Sequence, residues 1–419
     1  MYRLQGILKL RTSRAFQQPY TLRFFRQGLS HVSSNRGRGK FKKVPSSLCP
    51  MKKPGDVLRE ILQEKGIISV GTLSRKWPSG RDIYQELALL LLEGDGAIVE
   101  LEEETSESWD LNGKKVGPSK YAYVRPCLVE KFKVVVDGDE IARRLPDYPW
   151  IIVDLMLWDK HIPKEKDKIT LQVRETYAVM RRMYYPRKFA ITWINEEYKK
   201  KNKLPLEKIV SYEGTTAEFL KERGINRVVL LDPNADEALS EKDLEEKAFI
   251  IGGIVDMKGD KKGTTAKIGE VLKKEGIEVL RRKIVLRGDV IGVPDRINHI
   301  TEILIRMLYG EPMERAILAV QAPTHARWRL RREIPKRKIR YLIDGKLYLV
   351  VEKELFDELK GWLNIRWEDF VKVLRETGII ALERRRIHRL NKISTYRPDR
   401  NGGKRVILLK RAALLCYNY

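Results

Sequence analysis

The run "WIIVDLML" at residues 150–157 is apolar at nearly every position. Because successive side chains of a strand point to opposite faces, such a run is covered on both sides, as in a parallel sheet between helices. The pattern recurs in "KFAITWI" (188–194), "IVSYE" (209–213), "RVVLLD" (227–232), "AFIIGGIVD" (248–256) and "EVLRRKIVL" (278–286). Helical spacing fills the intervals at 166–184, 215–223 and 265–275, the last two closed by Gly224 and Gly276. This alternation predicts an α/β fold with a parallel sheet over about 147–310. Ligands of such sheets sit at the carboxyl ends of the strands, where Asp154, Asp232 and Asp256 fall.

The flanks read differently. From Asp56 to Leu128 the order is helix, helix, hairpin, which suggests a small winged-helix-like module with "TSESWDLNGKKVGPSK" (105–120) as the hairpin loop. After Gly310 a similar order follows: "EKELFDELKGWL" and "RWEDFVKVLRETG" as helices, then "ISTYRP" and "RVILLKR" as strands joined by "DRNGGK". The expected division is an α+β module at 51–130, the α/β domain at 147–312 and a basic α+β RNA-binding domain at 313–419. Residues 1–50 hold eleven Lys or Arg and no acid, a composition that forms no core and resembles a transit peptide. Met51 opens directly onto a helical pattern and reads as the true start, which would make 1–50 a disordered extension from a misplaced start. A basic RNA-binding arm is the alternative.

Lys plus Arg number 83 against 57 Asp plus Glu, a surplus of 26 positive charges that favours a polyanionic partner, nucleic acid first. No DNA partner is expected. The basic runs are "RRMYYPRK" (181–188), "KKKNK" (199–203), "RWRLRREIPKRKIR" (327–340) and "RRRIHR" (384–389). Tyr184, Tyr185 and Trp328 lie among them as candidate stacking partners for bases. Three dispersed cysteines support neither a disulfide framework nor a zinc site and fit a reducing cytoplasm. No apolar run reaches the ~20 residues that cross a bilayer, so no membrane association is expected. GxGxxG after a strand, the Walker lysine motif, HExxH and GxSxG are all absent, which disfavours dinucleotide enzymes, phosphate-loop ATPases and metal hydrolases.

Two glycine-bearing loops remain. "IIGGIVD" leads a strand into Gly252 and Gly253, and "VLRGDVIGVPDRINHITEILIRML" puts Gly288, Gly292 and Pro294 before an amphipathic helix. Backbone without side chains lets a flat ligand approach, although a glycine pair at a strand end is more often a bulge or close-packing point. Asp256 is open to two readings: a proton acceptor in catalysis, or a loop carboxylate that bonds neighbouring amides.

"FIIGGIVDMKGDKKGTTAKIGEVLKKEGI", with "IIVDLML", "LQVRETYAVMRRMYYPRKFAITW" and "PDRINHITEIL", resembles the SPOUT-class tRNA methyltransferases that act on N1 of the purine at position nine, and the flanking modules resemble their archaeal branch. The resemblance implies a trefoil knot in which the helix at about 297–309 threads a preceding loop. It implies S-adenosylmethionine as cofactor, held by Leu230, Leu231 and Asp232, by Ile251, Gly252, Gly253, Ile254, Val255 and Asp256, and by Val290, Ile291, Gly292, Val293, Ile297 and Asn298. Asp256 is the implied catalytic carboxylate, with Gln172 as a further participant beside Tyr177, and Asp154 is either a second acidic participant or a cap of the next turn. tRNA contacts are expected from Arg181, Arg182, Arg187, Lys188, Arg327, Arg329, Arg331 and Arg332, and the branch implies a monomer. A non-catalytic RNA-binding protein, or a SPOUT enzyme of another RNA position, are the rival readings.

Overall fold

The structure, a computed structural model, describes residues 51–74, 77–78, 80–343, 346–392, 394–398 and 404–408. The readings of 1–50 and of the turn at 399–403 lie outside these residues.

The central sheet is wholly parallel, in the order Glu278–Arg282, Arg227–Leu231, Ala248–Gly252, Trp150–Asp154, Phe189–Thr192, Val210–Ser211. Its inner strands divide their side chains strictly by parity. Ile151, Val153, Phe189, Ile191, Val229, Leu231, Phe249 and Ile251 pack on one face with the helices Pro163–Met183 and Ile297–Leu308. Ile152, Ala190, Val228, Leu230, Ala248 and Ile250 pack on the other with Phe219, Leu220, Ile268 and Leu272 of the helices Thr216–Lys221 and Thr265–Lys274. Covering both faces is what the continuous apolar runs require. Gly224 and Gly276 follow those two helices at φ +62° and +82°, a left-handed turn that glycine adopts without steric cost.

Helix Pro163–Met183 begins on a proline, whose missing N–H is no loss in a first turn, and Glu165 accepts the Ile162 amide at 3.1 Å. At its other end Gln85 donates to the carbonyls of Arg181 (3.1 Å) and Tyr184 (2.9 Å) while accepting the Gly55 amide (2.9 Å). One buried amide side chain thus ties the N-terminal helices Pro54–Glu64 and Ile83–Leu92 to the central domain.

The N-terminal module is richer in strands than its sequence suggests. A short strand Ser69–Thr72 intervenes between the two helices, and the expected hairpin loop itself contributes Ser108–Asp110 and Lys115–Val116. Together with Ser119–Val124, Ala97–Thr105 and Lys133–Val136 they make a six-stranded sheet. The C-terminal part holds a five-stranded sheet in the order Ile379–Leu382, Lys346–Glu352, Ile339–Ile343, Lys404–Leu408, Ser394–Pro398. Helices Pro323–Lys336 and Trp367–Thr377 share the core of the central domain through Ala326, Leu330, Ile334, Phe370 and Val373.

Candidate active site

Three strand ends lie side by side, because Leu231 is in register with Ile251 and Gly252 with Asp154. At this edge the Gly253 amide donates to the Asp154 carbonyl at 2.7 Å. A Cβ on Gly253 would stand 2.5 Å from Leu155 Cδ2 and 2.9 Å from the Asp154 carbonyl oxygen, so only glycine closes the turn without displacement. Gly252 is half-buried, and a Cβ there would meet only the flexible ends of Ile254 and Ile268.

Asp256 lies in an exposed loop four residues beyond the end of the strand Ala248–Gly252. Its Oδ1 accepts the amides of Lys258 (3.2 Å), Gly259 (2.6 Å) and Asp260 (3.2 Å), and its Oδ2 accepts that of Lys261 (3.0 Å). Partial desolvation raises its carboxyl, but these amides outweigh that and hold it below the usual range. Of the two sequence readings, these bonds are those of the loop carboxylate: Asp256 organises its own loop.

Asp154 takes the second of its two expected roles, capping the turn after its strand, and not that of an acidic participant. It is 2% exposed, its Oδ2 accepts the Thr216 hydroxyl at 2.6 Å and its Oδ1 the Met156 amide at 2.8 Å. Burial pushes its carboxyl up to about 6 against both bonds. A carboxylate closed off in this way supports the strand end and does not reach a substrate. Asp232 is likewise buried, accepting Arg281 through Oδ2 (2.6 and 3.0 Å) and the Asn234 amide through Oδ1 (2.9 Å), so its side chain is not free for a cofactor. Leu230 is turned into the core on the far face of the sheet. Gln172 accepts the Ile297 amide at 3.0 Å and so fixes the start of the helix Ile297–Leu308 instead of facing a base.

The loops at 253–261 and 290–297 are anchored to the same helix. Met257 donates its amide to Glu165 at 3.0 Å and Ile297 donates to Gln172, seven residues further along. Seven residues are two helical turns on one face, about 10 Å apart. Val255 and Val293, half-buried, pack against one core cluster with the buried Ile297. Gly292 adopts φ +97°, and its carbonyl accepts Gln321 at 2.7 Å.

Family profiles match the chain from residue 55 to residue 412. Those of the tRNA (guanine(9)-/adenine(9)-N1)-methyltransferase N and C domains cover residues 55–144 and 327–412, and that of tRNA (guanine(9)-N(1))-methyltransferase TRM10/TRM10A covers 142–324. A Thermococcus kodakarensis protein named tRNA (guanine(9)-/adenine(9)-N1)-methyltransferase is 56% identical over 369 residues, spanning 88% of this chain and all of its own. The chain belongs to the TRM10 family. A Sulfolobus acidocaldarius tRNA (adenine(9)-N1)-methyltransferase is 28% identical over 316 residues, 74% of this chain and 98% of its own. The crystal structure of dual specific Trm10 from Thermococcus kodakaraensis superposes with a TM-score of 0.56 at 45% identity, over 63% of this chain and 99% of that one. Sulfolobus acidocaldarius Trm10 in complex with S-adenosylhomocysteine shares the fold, with a TM-score of 0.53 at 24% identity, over 78% of this chain and all of that one. The central domain is thus the SPOUT α/β domain of this family.

Within this TRM10 chain the basic candidates separate. Arg329 is 3% exposed, donates to the carbonyls of Ile291 (3.3 Å) and Arg287 (3.4 Å), and lies 2.9 Å from Glu333 and 3.6 Å from Asp289. It braces the loop before Ile297 from inside and is no phosphate contact. Tyr184 is fully buried and stacks on no base. Arg181 pairs with Glu93 (2.9 Å) and the Tyr177 hydroxyl (3.3 Å), bridging to the N-terminal module. Arg182, Lys188, Arg327, Arg331 and Arg332 pair with Glu302, Asp147, Asp369, Glu376 and Asp289, whereas exposed Arg187 donates to the Glu207 carbonyl. Trp328 is exposed, with His325 edge-on at 5.1 Å.

Two residues at the site escape sequence reasoning. His161 accepts the Val255 amide and Glu165 the Met257 amide, one on each side of Asp256. Glu165 three residues after Ile162, with Pro163 between, is a legible helix start, but nothing in the sequence links it to a loop more than ninety residues on.

Proposed function

We propose that this chain transfers the methyl group of S-adenosylmethionine to ring nitrogen N1 of the purine at position nine of tRNA, guanine or adenine, acting as a cytoplasmic monomer. The observation that carries this reading is the anchoring of both glycine-bearing loops on one helix face, in a chain so similar to the Thermococcus kodakarensis enzyme. The residues fit the cofactor. Gly252, Ile254, Val255, Val290, Ile291 and Val293 are all half-exposed, an apolar lining open to an adenine ring and a short aliphatic chain. When bound, S-adenosylmethionine supplies an electrophilic methyl group on a sulfonium sulfur.

The protein's share is positioning. Adenine N1 carries a free lone pair, whereas guanine N1 carries a proton that leaves as the bond forms. Oδ2 of Asp256 accepts a single amide and keeps a lone pair for the hydrogen on guanine N1 or on the adenine amino group. On adenine that bond only orients the base, whereas on guanine the carboxylate also takes the N1 proton as the methyl group arrives and passes it on to solvent. The target nucleotide must leave its stack to reach the loop.

The trefoil knot belongs to the same reading: the helix Ile297–Leu308 would thread a preceding loop, as the resemblance to the SPOUT methyltransferases implies. The monomer finds support in the helix Ile297–Leu308, nine of whose twelve residues are already buried within the chain.

Asp256→Asn tests the assignment on transcripts that differ only in base nine. Guanine methylation should fall at least about tenfold more than adenine methylation, with tRNA affinity unchanged. Equal losses on both bases would remove the base-specific role.

A further inference from the structure

We propose that His161 and Glu165 are positioning residues that latch the loop at 253–261 and hold Asp256 by the two amides flanking it. His161, 5% exposed, accepts the Val255 N–H through Nε2 at 3.2 Å. Glu165, fully buried, accepts the Met257 N–H through Oε1 at 3.0 Å. Its carboxylate also meets Lys261 Nζ at 3.2 Å through Oε1 and 3.1 Å through Oε2. Lys261 in turn gives its own amide to Asp256. Asp256 itself stays exposed, but its backbone is held: the residues before and after it are tied to the start of helix Pro163–Met183, and so is the far end of its amide basket. It cannot shift without breaking these bonds.

The latch demands a neutral imidazole. A backbone amide only donates, so Nε2 accepts and the ring's single proton sits on Nδ1. A second proton would set N–H against N–H. Burial pushes His161 below its ordinary value, the carbonyls of Leu157 and Trp158 and the Glu165 carboxylate oppose that, and Lys261 reinforces it. Released from the loop, the ring regains its ordinary basicity. The latch is thus complete above the ordinary histidine value and fails as pH drops through the lowered one.

This rests on the reading of residues 251–256 as a cofactor loop, so the test has two readouts. In the full chain, the affinity for S-adenosylhomocysteine is measured by calorimetry at about pH 8 and about pH 5.5, on either side of the ordinary histidine value. Hydrogen exchange of 253–261 is followed without ligand. His161→Ala should weaken ligand binding about tenfold at the higher pH, the worth of one buried hydrogen bond, and speed exchange in the loop, with tRNA affinity unchanged. His161→Asn, whose side-chain oxygen accepts but does not titrate, should recover part of the affinity and lose the acid-dependent weakening seen in the wild type. Glu165→Gln, which keeps an acceptor for Met257 but loses the charge facing Lys261, should speed exchange less than Glu165→Ala. Wild-type affinity and wild-type exchange in His161→Ala overturn the latch. If the wild type binds no S-adenosylhomocysteine but His161→Ala still speeds exchange, the latch stands and the cofactor reading falls.

Discussion

Replacing Asp154 by Asn should make the protein more stable at neutral pH, because the site holds a charge that burial disfavours. The carboxyl is displaced from 3.8 to about 6, which at about 1.4 kcal/mol per pH unit is a penalty of ~3 kcal/mol on the ionised form. The folded chain holds this proton between those values while the unfolded chain has lost it. Stability from this group is therefore full below the unfolded value, declines as pH rises toward 6 and levels off above it. Asn removes the charge. Its oxygen keeps the Met156 amide, while its amide group must face Thr216 Oγ1, whose proton has to turn toward Thr192 Oγ1, 2.6 Å away. That rearrangement costs about 1 kcal/mol, leaving a net gain of about 1–2 kcal/mol. Denaturant unfolding of both proteins from about pH 5 to about pH 8 measures it as a difference that grows with pH and then saturates. A destabilised Asn variant at pH 8, or a difference independent of pH, refutes the argument by showing that the site stabilises the charge. Methylation should survive the substitution, since the side chain reaches no substrate.

Other substitutions probe the same framework. Arg329→Met removes the buried cation between Asp289 and Glu333, which keep only Arg332 and Lys336 at the surface, and leaves the carbonyls of Ile291 and Arg287 without a donor, and should cost about 2–4 kcal/mol in denaturant unfolding. Gly253→Ala forces a Cβ against the Asp154 carbonyl and Leu155, which should cost about 1–3 kcal/mol and lower S-adenosylhomocysteine affinity in calorimetry. Gln85→Ala strands the Gly55 amide and the carbonyls of Arg181 and Tyr184, for a loss of about 2–4 kcal/mol by chemical denaturation.

The central sheet was legible because burial on both faces leaves a signature no exposed strand has, as in "WIIVDLML", and because Gly224 and Gly276 mark helix ends by backbone conformation alone. The N-terminal sheet was not. Ser108–Asp110 and Lys115–Val116 are short, polar strands at its edge, where a two-residue periodicity has no room to show and charged side chains guard against further pairing. At the candidate site, the sequence pointed to the two loops and to Asp256 but not to what holds them, since the bonds from His161 and Glu165 span more than ninety residues and reach backbone atoms. A contact to an amide leaves no trace in the identity of the residue that supplies it. Arg329 had a signal that the charge run obscured: Ala326, Leu330 and Ile334 form a buried stripe at helical spacing, and Arg329 and Glu333 stand beside it, one turn apart.

The same distinction decides which arginines bind RNA. An exposed ion pair is worth little and exchanges its carboxylate for a phosphate at small cost, whereas a partly buried pair leaves an acid stranded when its cation departs. Arg187, exposed and donating to the uncharged Glu207 carbonyl, should engage phosphate most readily, followed by Arg332, whose pair with Asp289 stretches to 3.3 Å. Arg182 is held harder, because its partner Glu302 is 8% exposed, although Arg306 stays with that carboxylate when Arg182 leaves. Arg327 faces the largely buried Asp369, which also caps the helix Trp367–Thr377 through the Arg366 amide, so its release would loosen the C-terminal fold. If this order is right, Arg187→Ala and Arg332→Ala each reduce the slope of log affinity against log salt by roughly 0.7–0.9, the yield of one lost phosphate contact. Arg327→Ala should lower thermal stability before it changes that slope. Filter binding of a position-nine transcript over a salt series gives the slopes, and an unchanged slope in Arg187→Ala, with a reduced one in Arg327→Ala, inverts the ranking and with it the premise that exposure governs the exchange.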